Sequence, residues 1–138
     1  MKRITKLVIL IVIAIVFGMF YTVEVNENKL SSIKDIKVSR ITLSHHNEIV
    51  EVSQENPDFN VIIELISQVK LRNKYVGPIM IGEGIEVSFY EDNQHIVTIV
   101  PGLSQTNVDG IKFNTSEDSF KIVNQLDHIL GKYYGYNQ

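Results

Sequence analysis

From Leu7 to Val23 the chain carries 17 consecutive uncharged residues, most of them Ile, Val, Leu and Phe. A bilayer interior offers no partner for exposed backbone N–H and C=O groups, so a segment of this kind must enter it as a helix. At about 1.5 Å per residue that helix is about 26 Å long, slightly short of a hydrocarbon core of about 30 Å. Local thinning of the bilayer and the aliphatic stem of Lys6 close the difference. Phe20 and Tyr21 stand at the far end, where interfacial aromatic residues belong.

Charge sets the orientation. Lys2, Arg3 and Lys6 precede the apolar run, and Glu24 and Glu27 follow it. The positive-inside rule therefore predicts a cytoplasmic stub at 1–6, a single transmembrane anchor at 7–23 and an extracytoplasmic remainder. A cleaved secretory signal would need a small-x-small site, and the bulky neighbours Met19, Phe20, Tyr21, Val23 and Glu24 provide none. With no cysteine in the chain, lipoprotein processing is excluded as well.

About 110 residues remain, enough for one domain. Three of the 13 Lys and Arg residues lie in the stub, which leaves ten against 16 Asp and Glu and a net charge of −6. That balance argues against nucleic acid or an anionic lipid surface as partner. Lacking cysteine, the domain has no disulfides and depends on an apolar core.

Residues 24–34 are polar and aperiodic and read as a tether, with the domain proper at 35–138. Ile36 and Val38, then Ile41 and Leu43, alternate with polar residues, and the phase slip between the two pairs suggests a β-bulge near Ser39–Arg40. His45-His46-Asn47 turns the chain into a second strand at Ile49 to Val52. Asn56-Pro57-Asp58 starts a helix, which Phe59, Ile62, Ile63, Ile66 and Val69 carry to about Lys70. In the stretch 73–84, Pro78 and the glycines rule out a central strand, and Ile79-Met80-Ile81 suits a short edge strand. Ile85 to Tyr90, His95 to Val100 and Gly110 to Phe113 read as further strands. A terminal helix, capped by Thr115 or Ser116 with Glu117 and Asp118 in its first turn, presents Phe120, Val123, Leu126, Ile129 and Leu130. Gly131 is its expected end. The predicted fold is α+β, an antiparallel sheet of about five strands in the order β-β-α-β-β-β-α, with both helices on one face.

Candidate chemistry is sparse. Neighbouring residues on a strand point to opposite faces, so His45 and His46 rarely serve one metal; in a turn both are exposed, and His95 or His128 could join them, but no spacing demands it. Glu51 and Glu86 could share a sheet face, where strands of this kind usually carry solvent-facing Glu. Gly82-Glu83-Gly84 leads into a strand, not a helix, and so lacks the helix N-terminus of a phosphate loop. No serine sits in a nucleophile-elbow pattern. The sequence therefore assigns no catalytic residue, no cofactor and no metal ligand. A partner surface is the better expectation. Tyr75, Ile79, Met80 and Ile81 lie in an apolar loop that could also offer a strand edge, and Tyr133 and Tyr134 belong to a tyrosine-rich tail.

Met1-Lys2-Arg3 with its apolar anchor, the β-rich run ending in Val108-Asp109-Gly110-Ile111-Lys112-Phe113, and the amphipathic terminal helix together resemble small uncharacterised membrane-anchored extracytoplasmic proteins of Gram-positive bacteria. The resemblance implies location and fold, and brings no catalytic residues with it. Three functions fit. The leading one is a non-enzymatic module at the cell membrane that binds a membrane or envelope protein, or another envelope component. The second is an accessory or immunity-like subunit acting through its transmembrane helix. The third is a cell-envelope hydrolase.

Overall fold

Alternation of apolar and polar residues builds most of a seven-stranded antiparallel sheet. The computed structural model describes residues 30–77, 84–115 and 119–135. The strands are β1 (Arg40–His45), β2 (Glu48–Ser53), β3 (Leu71–Lys74), β4 (Glu86–Glu91), β5 (Gln94–Val100), β6 (Gln105–Val108) and β7 (Ile111–Thr115). Helix α1 (Asp58–Ser67) follows β2, and α2 (Ser119–Tyr134) closes the described chain. The spatial order is β2-β1-β4-β5-β6-β7-β3. Thus α1 carries the chain from one edge of the sheet to the other, and β4 lies back inside it, between β1 and β5.

Register explains the core. Ile41 pairs with Val52 and Phe89, Leu43 with Val50 and Val87, and Phe89 and Val87 pair in turn with Val97 and Ile99. These side chains share one face, and nearly all are fully buried in a single cluster with Phe59, Ile62, Leu65 and Ile66 of α1 and Ile122, Leu126, Ile129 and Leu130 of α2. Leu30 and Ile33, the latter in a short 3-10 turn (Ser32–Asp35), are buried in the same cluster. Residues 30–34, within the stretch read as a tether, therefore pack with the domain. Lys34 clamps this turn to α1 through Glu64 at 2.6 Å. The hydrogen bond from Lys34, then that from Gln68, holds the Glu64 carboxyl below its ordinary range.

Several expectations change. The sheet has seven strands, not five. β3 has one apolar residue, Leu71, followed by Arg72, Asn73 and Lys74, and so shows no alternation. β6 lies in what reads as a polar loop. The phase slip before β1 is a tight turn, not a bulge: Val38 N donates to the Ile36 carbonyl at 2.9 Å, and the strand starts only at Arg40. A register irregularity does occur, but between Phe89 and Tyr90, against β5. Helix α1 stops at Ser67, and the chain re-enters the sheet at Leu71. Helix α2 continues through Gly131; Gly135, at φ +71°, takes the left-handed position that ends helices. Its buried stripe runs through Ser119, Ile122, Leu126, Ile129 and Leu130, so Phe120 lies about 130° off the stripe and is 58% exposed.

Among the described residues no helix is long and apolar enough to cross a membrane. The stub, the anchor 7–23, residues 24–29, the Ile79-Met80-Ile81 edge strand, the Gly82-Glu83 part of the glycine loop and the Ser116-Glu117-Asp118 cap lie outside the described residues.

Candidate functional site

Hairpin geometry gathers the histidines. β1 and β2 are joined by His46 and Asn47 alone, at φ +48° and +67°, the left-handed pair that a two-residue turn between twisted strands requires. Asn and His tolerate that region better than most residues. The turn defeats the alternation of a strand: the His45 and His46 rings do not diverge but meet edge to face, with centroids 3.9 Å apart. Glu48 pairs with His45 across the turn.

The opposite wall is α2. Asn124, Asp127, His128 and Gly131 fall at i, i+3, i+4 and i+7, one helical face. Together with His45, His46, Glu48, Leu130 and Tyr134 they line an open pocket of about 640 Å³. Its walls carry two carboxylates and neither Lys nor Arg. Lys132, the cation in the last turn of α2, bonds to Asp58 at 3.0 Å instead. The pocket also lies along the carbonyl end of α2, which favours positive charge. Sequence spacing alone gives no sign that His128 belongs with His45 and His46, because the closeness arises from tertiary packing.

His95 stands elsewhere. On the sheet face opposite the core its Nε2 bonds to Thr98 Oγ1 at 2.7 Å, and Thr98 Oγ1 bonds to Ser88 Oγ at 2.8 Å. Ser88 is only 4% exposed, and among the described residues no carboxylate bonds to the His95 ring. The hydroxyl next to the imidazole is that of half-buried Thr98, and no acid orients the ring, so the arrangement lacks the third member of a nucleophilic triad. Arg40 lies 4.3 Å from the centroid of the Tyr90 ring and 3.2 Å from Glu51. Glu51 and Glu86 are not brought together: β1 lies between their strands, and they pair with Thr42 and Ser44 respectively.

The residues expected to form a partner surface have distinct settings. Tyr75 is half-buried and its N–H donates to the Lys112 carbonyl at 2.9 Å. Its ring crosses Gly77 so closely that a methyl group there would meet the hydroxyl at 2.5 Å. Val76, which follows it, is 93% exposed. Tyr133 and Tyr134 pack half-buried against the core. The Tyr133 hydroxyl accepts from Asn56 Nδ2 at 2.7 Å and donates to Asp58 Oδ2 at 3.4 Å, tying the end of α2 to the start of α1. Asn56 also caps α1, its Oδ1 accepting from the Asp58 N–H.

Burial first, and then the Asp58 charge, raise the Tyr133 phenol above its ordinary value of 10.0. A raised value means that the folded chain holds this proton more tightly than the unfolded chain does. The associated stability is complete below pH 10 and is lost as pH rises through the folded value. Tyr133→Phe is expected to cost about 1 kcal/mol at pH 7 through the lost hydrogen bonds. It should also flatten the fall in thermal midpoint between pH 9.5 and 11. Equal alkaline slopes for the two proteins would contradict the assignment.

No family model, curated protein or solved structure matches the chain. Function must therefore be argued from the site itself.

Proposed function

We propose that the chain is a single-pass membrane protein that displays its α+β domain outside the cytoplasmic membrane and binds a membrane or envelope protein without catalysing a reaction. The observation that carries this reading is an apolar contact surface at the end of the β3–β7 ladder. Lys74, the last residue of β3, pairs with Phe113, and the Tyr75 N–H bonds to the Lys112 carbonyl; the same spacing carried on past the strand would bring Val76 beside Ile111. Val76 is 93% exposed and Ile111 45% exposed. Two large apolar side chains exposed at the end of the ladder supply the anchor that recognition needs. Arg72 and Lys74 on β3 are the kind of charged edge residues that deter pairing with a further strand. Contact through side chains therefore fits better than strand addition.

The short connection to the membrane supports a partner close to the bilayer. Leu30 is already in the core, so six residues, 24–29, separate the anchor from the fold. Even fully extended, they hold the domain within about 20 Å of the anchor's end.

The test is co-purification from solubilised membranes with Val76→Asp and Ile111→Asp. A charged side chain at the centre of a contact removes hot-spot energy of about 2 kcal/mol or more. Each variant is expected to reduce recovery of the captured protein at least tenfold, with the far-UV spectrum unchanged. Undiminished recovery with both variants would reject this surface.

A further inference from the structure

Given the contact surface proposed at Val76 and Ile111, on which this reading rests, we infer that its partner docks through an acidic protein segment, with an apolar residue flanked by several Asp or Glu. Lys70, Arg72 and Lys74 are the side chains that meet those carboxylates. The sheet is unevenly charged. From residue 24 onward the chain has ten Lys and Arg against 16 Asp and Glu, a net charge of −6. Within the strands, however, the carboxylates Glu48, Glu51, Glu86 and Glu91 all belong to β2 and β4. The neighbouring strands β6, β7 and β3, on the other side of the sheet, contain none. Instead β3 and β7 carry Arg72, Lys74 and Lys112, and Lys70 stands just before β3.

Carboxylates that could neutralise this edge are engaged elsewhere. Asp109, in the β6–β7 turn, accepts from the Thr98 N–H at 2.8 Å. Glu64 on α1 is bound to Lys34 at 2.6 Å. Glu117 and Asp118, which follow β7, lie outside the described residues. Lys34, Arg40 and Lys132 are each paired with a carboxylate. Lys70, Arg72 and Lys74 are exposed and, among the described residues, form no ion pair. A cluster of unneutralised cations on an otherwise acidic domain steers complementary charge to that edge. Six residues separate Lys70 from Val76, about 20 Å of extended chain at most. An extended segment of that length can therefore reach the cations and the apolar end of the ladder together. The net charge of −6 opposes docking on an anionic bilayer, and a phosphate-rich polymer has nothing to set against Val76 and Ile111.

The test places a photoreactive side chain at position 73, between Arg72 and Lys74, in the full chain in living cells, and the crosslinked peptide is sequenced. The expected adduct is a protein whose peptide holds three or more Asp or Glu within about eight residues of the reacted site. Arg72→Glu combined with Lys74→Glu should lower its yield at least tenfold, because repulsion replaces attraction. The charge-conserving combination Arg72→Lys with Lys74→Arg should keep the yield, and both chains should keep the far-UV spectrum. Val76→Asp separates the two claims. Loss of the adduct in Val76→Asp with full yield in the charge-reversed chain would leave the apolar surface standing and overturn the acidic partner. A crosslinked peptide poor in carboxylates, or an adduct to lipid or to an envelope polymer, would overturn it as well. Absence of any adduct from positions 73 and 76 alike would overturn the contact surface along with it.

Discussion

Replacing Phe89 by alanine is expected to lower the thermal midpoint of the domain by about 15 °C or more. Phe89 is fully buried in β4, between Ile41 on β1 and Val97 on β5, at the middle of the core face. Removing a buried phenyl ring costs about 3–5 kcal/mol, because the transfer energy is lost and the flanking strands cannot collapse into the gap. In a domain of about 110 residues each kcal/mol moves the midpoint by roughly 4–8 °C. Phe120→Ala provides the internal comparison. That ring is 58% exposed, and its loss should cost about 0.5 kcal/mol or less. Circular dichroism melts of the full chain in detergent measure both; similar shifts for the two variants would mean that the core is placed wrongly.

The second large effect concerns the apolar run 7–23, which the proposed topology places in the bilayer. Replacing Ile11 and Ile15 by aspartate puts two carboxylates near the middle of the apolar run. Each aspartate at a helix centre disfavours insertion by about 3 kcal/mol, and each lost isoleucine removes about 0.5 kcal/mol in its favour. A combined change of about 7 kcal/mol should move the chain from the carbonate-washed membrane fraction to the soluble fraction. Persistence in the membrane would show that some other segment holds it there.

The contrast between Phe89 and Phe120 also shows what the sequence makes legible. The β1–β2 and β4–β5 hairpins and both helices follow from hydrophobic period and turn or capping residues, since these signals are local. Asn56-Pro57-Asp58 marks the start of α1 because capping chemistry is confined to one turn. β3 is illegible because an edge strand buries only Leu71 and keeps its other side chains in water. β6 is marked in the sequence by its turn, not by alternation. Asp109-Gly110, at φ +49° and +86°, is the dipeptide of a tight hairpin, and its apolar neighbours Val108 and Ile111 pair across it. Phe120 illustrates a different limit: a helical stripe can be drawn through it, but Ile122 competes for the same role, and only packing against the sheet decides which is buried.

The candidate pocket was half visible. His45-His46-Asn47 was legible as a turn, but not that its left-handed backbone would bring the two rings together. His128 lies 82 positions beyond His46 in the sequence, and only the docking of α2 beside the hairpin unites them. Val76 and Ile111 likewise fall at one end of the β3–β7 ladder, and β3 is the strand that the sequence conceals.

Site-specific photocrosslinking in living cells tests the central claim most directly, with the reactive side chain at position 76 of the full chain and, as control, at exposed position 91 in the β4–β5 hairpin. The account predicts one dominant adduct to a membrane or envelope protein from position 76, absent from position 91 and lost when Ile111→Asp is added. No adduct from position 76, or the same adducts from both positions, would contradict a partner docked on this surface.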